Sequence, residues 1–271
     1  ECIAGNREVN LDVVPTDAPP PVSSSATGGK GASYWTDKEL FKEPQREECP
    51  ICMLPLPINI EEISYHPCCG KTLCGGCIHA DDMRDKRRLC PFCRTSAETS
   101  EEEYRKRINT RAEADDANAI YMLGKCYDDG LIGLPQNKRK ANKLWLRAGK
   151  LGCAKAYCNL GASYIHGEGV ERDEKKGEHY LELAAMGGSV TARYNLGIEE
   201  AIAGNMNRAM KHFMISAKEG DDDSLTKIRE CFIKGHATKD DFETALRAHK
   251  EAKDEMKSDQ REAAAAFYGQ N

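Results

Sequence analysis

The 271-residue sequence has no run approaching the roughly 18–20 apolar residues of a membrane-spanning helix. It shows no basic start followed by an apolar stretch, so no secretory signal is expected. Aromatics are scarce, at 7% with two tryptophans. No series of aromatics interleaves with the basic cluster Arg84, Lys86, Arg87, Arg88 and Arg94 to stack bases, and Asp81, Asp82 and Asp85 dilute that cluster. Positive charge is not in excess either, the formal net charge being −5. These absences argue against a membrane or nucleic acid as partner and make the basic cluster a solvated rim. Hydrophobic content of 40% and charged content of 31% fit a soluble protein with much exposed helix surface.

Cysteine, by contrast, is abundant. Eight of the 13 cysteines fall within the 45 residues from 49 to 93. They form the Cys-x-x-Cys pairs Cys49/Cys52, Cys74/Cys77 and Cys90/Cys93, with the adjacent Cys68 and Cys69 between the first two. Two cysteines separated by two residues can turn both thiolates onto one Zn²⁺ through a tight knuckle, and a tetrahedral site needs four such ligands. Eight thiols therefore make two Zn²⁺ sites. Thiols used this way argue for a reducing compartment, cytosol or nucleus.

The order of the pairs, and the short gap between the middle two, resembles the RING finger. That resemblance implies interleaved sites in a small zinc-bound α+β domain over residues 49–94. Cys49, Cys52, Cys74 and Cys77 would hold the first zinc. Cys69, Cys90, Cys93 and one further residue would hold the second. The usual middle of the family pattern is Cys-Gly-His-x-x-Cys, whereas here Lys71 stands at the histidine place. The eighth ligand is then Cys68 or His66. Adjacent side chains on an extended backbone point to opposite sides, so Cys68 and Cys69 need a local bend, which Gly70 can help supply. His66 has the easier spacing. Cys68 is preferred because a thiolate is the softer ligand and the all-cysteine variant of the family uses such a residue.

A RING finger forms no covalent bond to its substrate. The resemblance implies docking of a ubiquitin-conjugating enzyme charged with ubiquitin. Ile51, Pro91 and the helical region 78–89, with Leu89 and Met83 as its apolar candidates, would form the docking groove. Arg94 would clamp the donor ubiquitin. No bulky residue stands out on that helix.

The flanks are different. Residues 1–33, with Pro15, Pro19, Pro20, Pro21 and a serine run, read as a disordered leader. Residues 34–48 hold Tyr34, Trp35, Leu40 and Phe41 and read as a helical lead-in that can pack on the zinc domain. Residues 95–116 read as a solvated, charged linker helix, with Glu101, Glu102 and Glu103 ahead of Arg105, Lys106 and Arg107.

The second half repeats. Ala119-x-Tyr121-x-Leu123-Gly124 returns as Ala156-Tyr157-x-x-Leu160-Gly161 and as Ala192-x-Tyr194-x-Leu196-Gly197, the glycine step being 37 and then 36 residues. A fourth, degraded copy has Ser224, Ile228 and Phe232 at the corresponding places. A fixed period in this range marks a helical solenoid, whose hairpins bury their apolar faces only by stacking. These copies resemble the Sel-1-like repeat, a relative of the tetratricopeptide repeat. They span residues 117–256, with Asp173 as a helix cap and His179, His212 and His249 as surface or interhelix residues. Residues 257–271 would close the stack or fray. The expected whole is a ubiquitin ligase whose repeats recruit a substrate or adaptor on their concave face. Its rival is a non-catalytic zinc-binding scaffold.

Overall fold

The computed structural model of the chain describes residues 35–43, 46–97 and 99–269. The leader expected over residues 1–33 lies outside them. A short helix α1 (Asp37–Leu40) comes first. The cysteine-rich stretch follows as a two-stranded antiparallel sheet, β1 (Ile63–His66) and β2 (Lys71–Cys74), leading directly into α2 (Gly75–Arg84).

Beyond it the described chain is helical. After α3 (Glu101–Glu113) come four helix pairs: α4 (Ala117–Asp129) with α5 (Lys138–Lys150), α6 (Ala154–His166) with α7 (Glu174–Met186), α8 (Val190–Ile202) with α9 (Met206–Lys218), and α10 (Asp222–Ile233) with α11 (Lys239–Met256). The last element is α12 (Asp259–Tyr268).

Every helix of the first three pairs has 13 residues, so successive pairs present faces of equal length, about 20 Å, to each other. The caps are local. Asp116 accepts from the N–H groups of Asn118 and Ala119, Asp173 from Lys176, Ser189 from Ala192 and Asp221 from Ser224. Each cap satisfies an otherwise orphaned N–H and is worth about 1 kcal/mol.

The repeated alanines Ala119, Ala156 and Ala192 are fully buried. The glycine that follows each repeated leucine lies where the two helices of a pair cross. A Cβ on Gly197 would stand 2.5 Å from the Phe213 ring, and one on Gly161 would stand 2.9 Å from the Gly177 carbonyl oxygen. The period in the sequence is therefore a period of close helix approach.

Three segments behave differently from their sequence reading. Helix α3 is not a solvated linker. Its Ile108 and Ala112 are buried and join the core of the first pair with Ile120, Leu144 and Trp145. The charged side faces outward, with Glu103 pairing with Arg107 one turn on. The first part of the lead-in packs on the repeats, where Leu40 is buried and Phe41 lies against His212 of α9, whereas Glu47 and Glu48 pair with the cysteine unit, at Leu56 and Pro55. Of the two placements expected for the second-helix histidines, surface or interhelix, burial leaves the second: His179, His212 and His249 are all buried. Helix α12 does not close the stack but packs against α2.

Candidate metal centre

The turn between β1 and β2 settles how two adjacent cysteines can serve one site. The strands pair His66 with Lys71, which leaves residues 67–70 as a tight turn. The N–H groups of Cys69 and Gly70 both donate to the His66 carbonyl, at 3.2 and 2.8 Å. Gly70 has φ of 71°, the left-handed conformation that a side chain disfavours. A Cβ there would also stand 2.5 Å from the Arg111 guanidinium. This bend turns both Cys68 and Cys69 toward the last cysteine pair.

The outer pairs sit in matching knuckles. Cys49 N–H donates to the Leu54 carbonyl and Met53 N–H to the Cys49 carbonyl. Cys90 N–H donates to Thr95 and Arg94 N–H to Cys90 in the same way. Met53 (φ 57°) and Arg94 (φ 60°) hold the same left-handed place just after each pair.

The result is two groups of four sulfurs, each group lying within 4.8 Å: Cys49, Cys52, Cys74 and Cys77, and Cys68, Cys69, Cys90 and Cys93. Each could hold a metal ion. The separations are informative. Cys49 to Cys77 is 3.9 Å, Cys52 to Cys74 is 3.8 Å, Cys69 to Cys90 is 3.9 Å and Cys68 to Cys93 is 3.4 Å. A tetrahedral ion with sulfur at about 2.3 Å requires edges of about 3.8 Å. A disulfide requires about 2.05 Å, and all eight cysteines are free. The donor set fits a soft, tetrahedral metal.

His66 stays outside the second group. Its ring is largely buried, its Nε2 has no hydrogen-bond partner, and burial lowers its pKa.

Within the groups the thiols are unequal. Burial opposes ionisation of Cys49, but N–H groups of Cys74, Cys52 and Ile51 outweigh it and bring the thiol down to about 7. Burial likewise opposes Cys93, and the Thr95 hydroxyl and N–H bring it to about 6. Burial pushes Cys69 up to about 11.

Of the docking candidates, Ile51 and Met83 are exposed, whereas Pro91 and Leu89 are half-buried. Leu89 sits in a bridge opposite Ser96. Arg94 is tied down. Its guanidinium donates to both carboxylate oxygens of Asp81 (2.9 and 2.7 Å) and to Asp85 (2.5 Å). Arg84 also pairs with Asp81 and Arg87 with Asp85, so much of the basic rim is neutralised within the unit.

Residues 117–153 and 154–189 match the family model for the Sel1 repeat. The chain carries Sel1 repeats. Both matched segments are the first two helix pairs, α4 with α5 and α6 with α7. Among solved structures, a Sel1 repeat protein from Oxalobacter formigenes is similar, with a TM-score of 0.51 and 23% identity over 59% of this chain and 67% of that one. So is c5321, a protective antigen of uropathogenic Escherichia coli displaying an SLR fold, with a TM-score of 0.50 and 22% identity over 59% of this chain and 35% of that one. This chain thus spans about a third of the second protein, and both likenesses concern the fold. No curated protein matches the sequence. A stack of Sel1 repeats is a helical scaffold for protein–protein contact.

The Sel1 stack and the cysteine unit are joined by contacts that the sequence did not reveal. Arg111 of α3 donates to the carbonyls of Pro67 (2.6 Å) and Cys68 (3.2 Å), gripping the turn that feeds the second cysteine group. Tyr65 donates to Asp116, the cap of α4, at 2.8 Å. From the other end of the chain, Arg261 of α12 donates to the Pro55 carbonyl at 2.8 Å, and its guanidinium lies 3.6 Å from Cys52 Sγ. Gly76 makes that approach possible, since a Cβ there would meet the Arg261 backbone at 2.8 Å. His79 lies under Phe267 and Tyr268, at 5.0 and 5.9 Å between ring centroids. The partners of these contacts are far apart in sequence and follow no period, so no spacing rule exposes them. Among the described residues, no helix is long and apolar enough to cross a membrane.

Proposed function

We propose that the chain is a RING-type ubiquitin ligase holding two Zn²⁺, with the Sel1 repeats as its partner-binding half. The observation that carries this reading is the interleaving. The first and third cysteine sets in sequence share one group, and the second and fourth share the other. Zn²⁺ bound to both groups would supply structural cross-links and no chemistry at the transferred bond. The reducing environment that free thiolates need assigns the protein to the cytosol or nucleus.

The protein's part in transfer is then docking and orientation. Ile51, with Pro91, Leu89 and Met83, offers an apolar surface to the charged conjugating enzyme. The lysine amine of a substrate attacks the thioester carbonyl, and the conjugating enzyme's cysteine leaves as the thiol. Holding the thioester in its attack geometry raises the rate without a catalytic group on this chain. Arg94 is the candidate clamp for donor ubiquitin. It can act only by exchanging carboxylate partners, so Asp81 and Asp85 set its availability.

The test is single-turnover discharge of a ubiquitin-charged conjugating enzyme to free lysine, over a panel of such enzymes. Acceleration by the wild-type protein, lost in Ile51→Ala with both metals retained, is expected. No acceleration with any enzyme would favour the non-catalytic scaffold. That second reading draws on α12, which already covers the Gly76 and His79 side of α2.

A further inference from the structure

Between the second helices α7 and α9, over α8, runs a groove filled by the chain's own residues 35–43. Leu40 is buried in it. Phe41 lies 4.7 Å from the His212 ring, with the Lys211 ammonium 4.9 Å and the Arg208 guanidinium 5.5 Å from its own ring. Asp37 pairs with Arg208 and, at 2.8 Å, with Lys211. Trp35 stacks on His179.

The floor of the groove is unusual. Arg193 is 1% exposed, yet it faces no carboxylate among its hydrogen-bond partners. It donates to two main-chain carbonyls of the segment, those of Leu40 and Lys42. Its Nε has no partner, and neither ring nitrogen of the fully buried His212 has one. Burying a guanidinium against neutral carbonyls is a poor way to stabilise a core. It holds the C-terminal end of α1, whose last carbonyls the helix itself leaves unpaired. These unpartnered polar atoms lie directly beneath the seated segment. The groove also continues past Phe41 into an open cleft of about 420 Å³ lined by Met210, Lys211, Met214, Ile215 and His236. Methionine-rich surfaces adapt to varied apolar side chains.

We propose that this groove is a peptide-binding site, that residues 36–42 are its resident occupant, and that it takes a partner protein's linear segment. That segment carries an acidic residue followed, three and four positions on, by a Leu-aromatic pair, as Asp37, Leu40 and Phe41 do. A further apolar residue beyond the aromatic would fill the methionine cleft. The inference rests on the repeats being the binding half of the proposed function and names the class of partner they take. The occupied groove lowers apparent affinity by the fraction of time it is free, so a partner binds only by displacing the segment.

The experiment measures fluorescence anisotropy of a labelled peptide spanning residues 35–43 with the full chain. Wild-type protein should bind it weakly. The double variant Leu40→Ser, Phe41→Ser, whose own segment no longer competes, should bind it at least tenfold more tightly. Reversing Arg208 and Lys211 to glutamate in that background should abolish binding, and a peptide with lysine at the Asp37 place should restore it. Equal affinity of the wild type and the double variant would overturn the proposal. So would loss of the repeat helix signal in the double variant, which would make the segment part of the core. The milder Asp37→Lys variant, altered only at an exposed ion pair, should still gain affinity a few-fold, and no gain would count against the site. Concentration-dependent dimerisation of the wild type, lost in Phe41→Ser, would assign the groove to a second copy and overturn the partner reading. No ubiquitin enters this assay, so a failed ligase reading appears in the discharge experiment and a failed groove appears here.

Discussion

The buried apolar cluster of the cysteine unit is Cys49, Leu73, Cys74 and Cys77, with Cys52, Leu56 and Ile78 packed on it. Four of those seven residues belong to the first sulfur group. The first Sel1 repeats bury Ile108, Ile120, Leu144, Trp145, Leu160 and Tyr180 in one continuous core, with no need of cross-links. A unit of about 50 residues with so little apolar interior is marginal unless metal or covalent bonds join its loops. The repeats gain their stability by adding faces in series. One unit is therefore specified by a few irreplaceable atoms, the other by many interchangeable contacts, and each should fail in its own way.

The largest expected difference is the response to chelation. Structural Zn²⁺ contributes about 10–16 kcal/mol of apparent free energy per site. Protein purified without chelator should contain two metal ions per chain by elemental analysis. Chelation should abolish the ordered amide signals of residues 46–97 and leave most far-ultraviolet helix signal intact. Collapse of the whole helix signal would show that the two units fold as one.

Next comes Cys68→Ser against His66→Ala. The serine variant should lose about one metal ion per chain, and the alanine variant should keep two. The reverse result would move the eighth ligand to His66.

A repeat-side lesion of intermediate size is Gly197→Ala. Its Cβ would meet the Phe213 ring at 2.5 Å, and overpacking of this kind costs about 1–3 kcal/mol. The denaturation midpoint of the helical signal should fall while metal content stays unchanged.

The smallest effect sharpens the boundary itself. Arg111→Ala removes the grip on the Pro67 and Cys68 carbonyls, worth about 1–3 kcal/mol. Metal should then leave the second group faster than the first, as read by chelator competition. Equal rates would mean that Arg111 only bridges the two units.

Much of this contrast was legible in the chain. The Cys-x-x-Cys spacings singled out the thiols, because a knuckle needs both sulfurs within one turn. The recurring Leu-Gly step singled out the repeats, because close helix crossing needs a missing side chain at a fixed period. What could not be read was every contact that has no period. Leu40 and Phe41 looked like a lead-in to the zinc domain because they precede it, yet Arg193 and His212 hold them over 150 residues away. Ile108 could not be singled out in the charged segment, since one apolar residue among many charges gives a weak amphipathic signal. The alanine-rich end looked like a frayed cap because nothing in it names Gly76 or His79 as partners. Arg94 was legible as a basic residue in a suggestive place. Its engagement by Asp81 and Asp85 was not, since those carboxylates lie on and just after a helix and the arginine in a knuckle.

The reach of α12 back to α2 also has a bearing on how the protein is made. Gln260 and Cys77, whose side chains meet across that contact, are separated by 183 positions. A ribosome adding about 5–20 residues per second needs roughly 10–40 s to cover that distance. For most of that interval the cysteine loops are outside the exit tunnel while the helix that will cover Gly76 and His79 has not yet been synthesised. Any metal loaded during translation would enter an uncovered unit, and a stalled or C-terminally truncated nascent chain would display that bare face for as long as it persists.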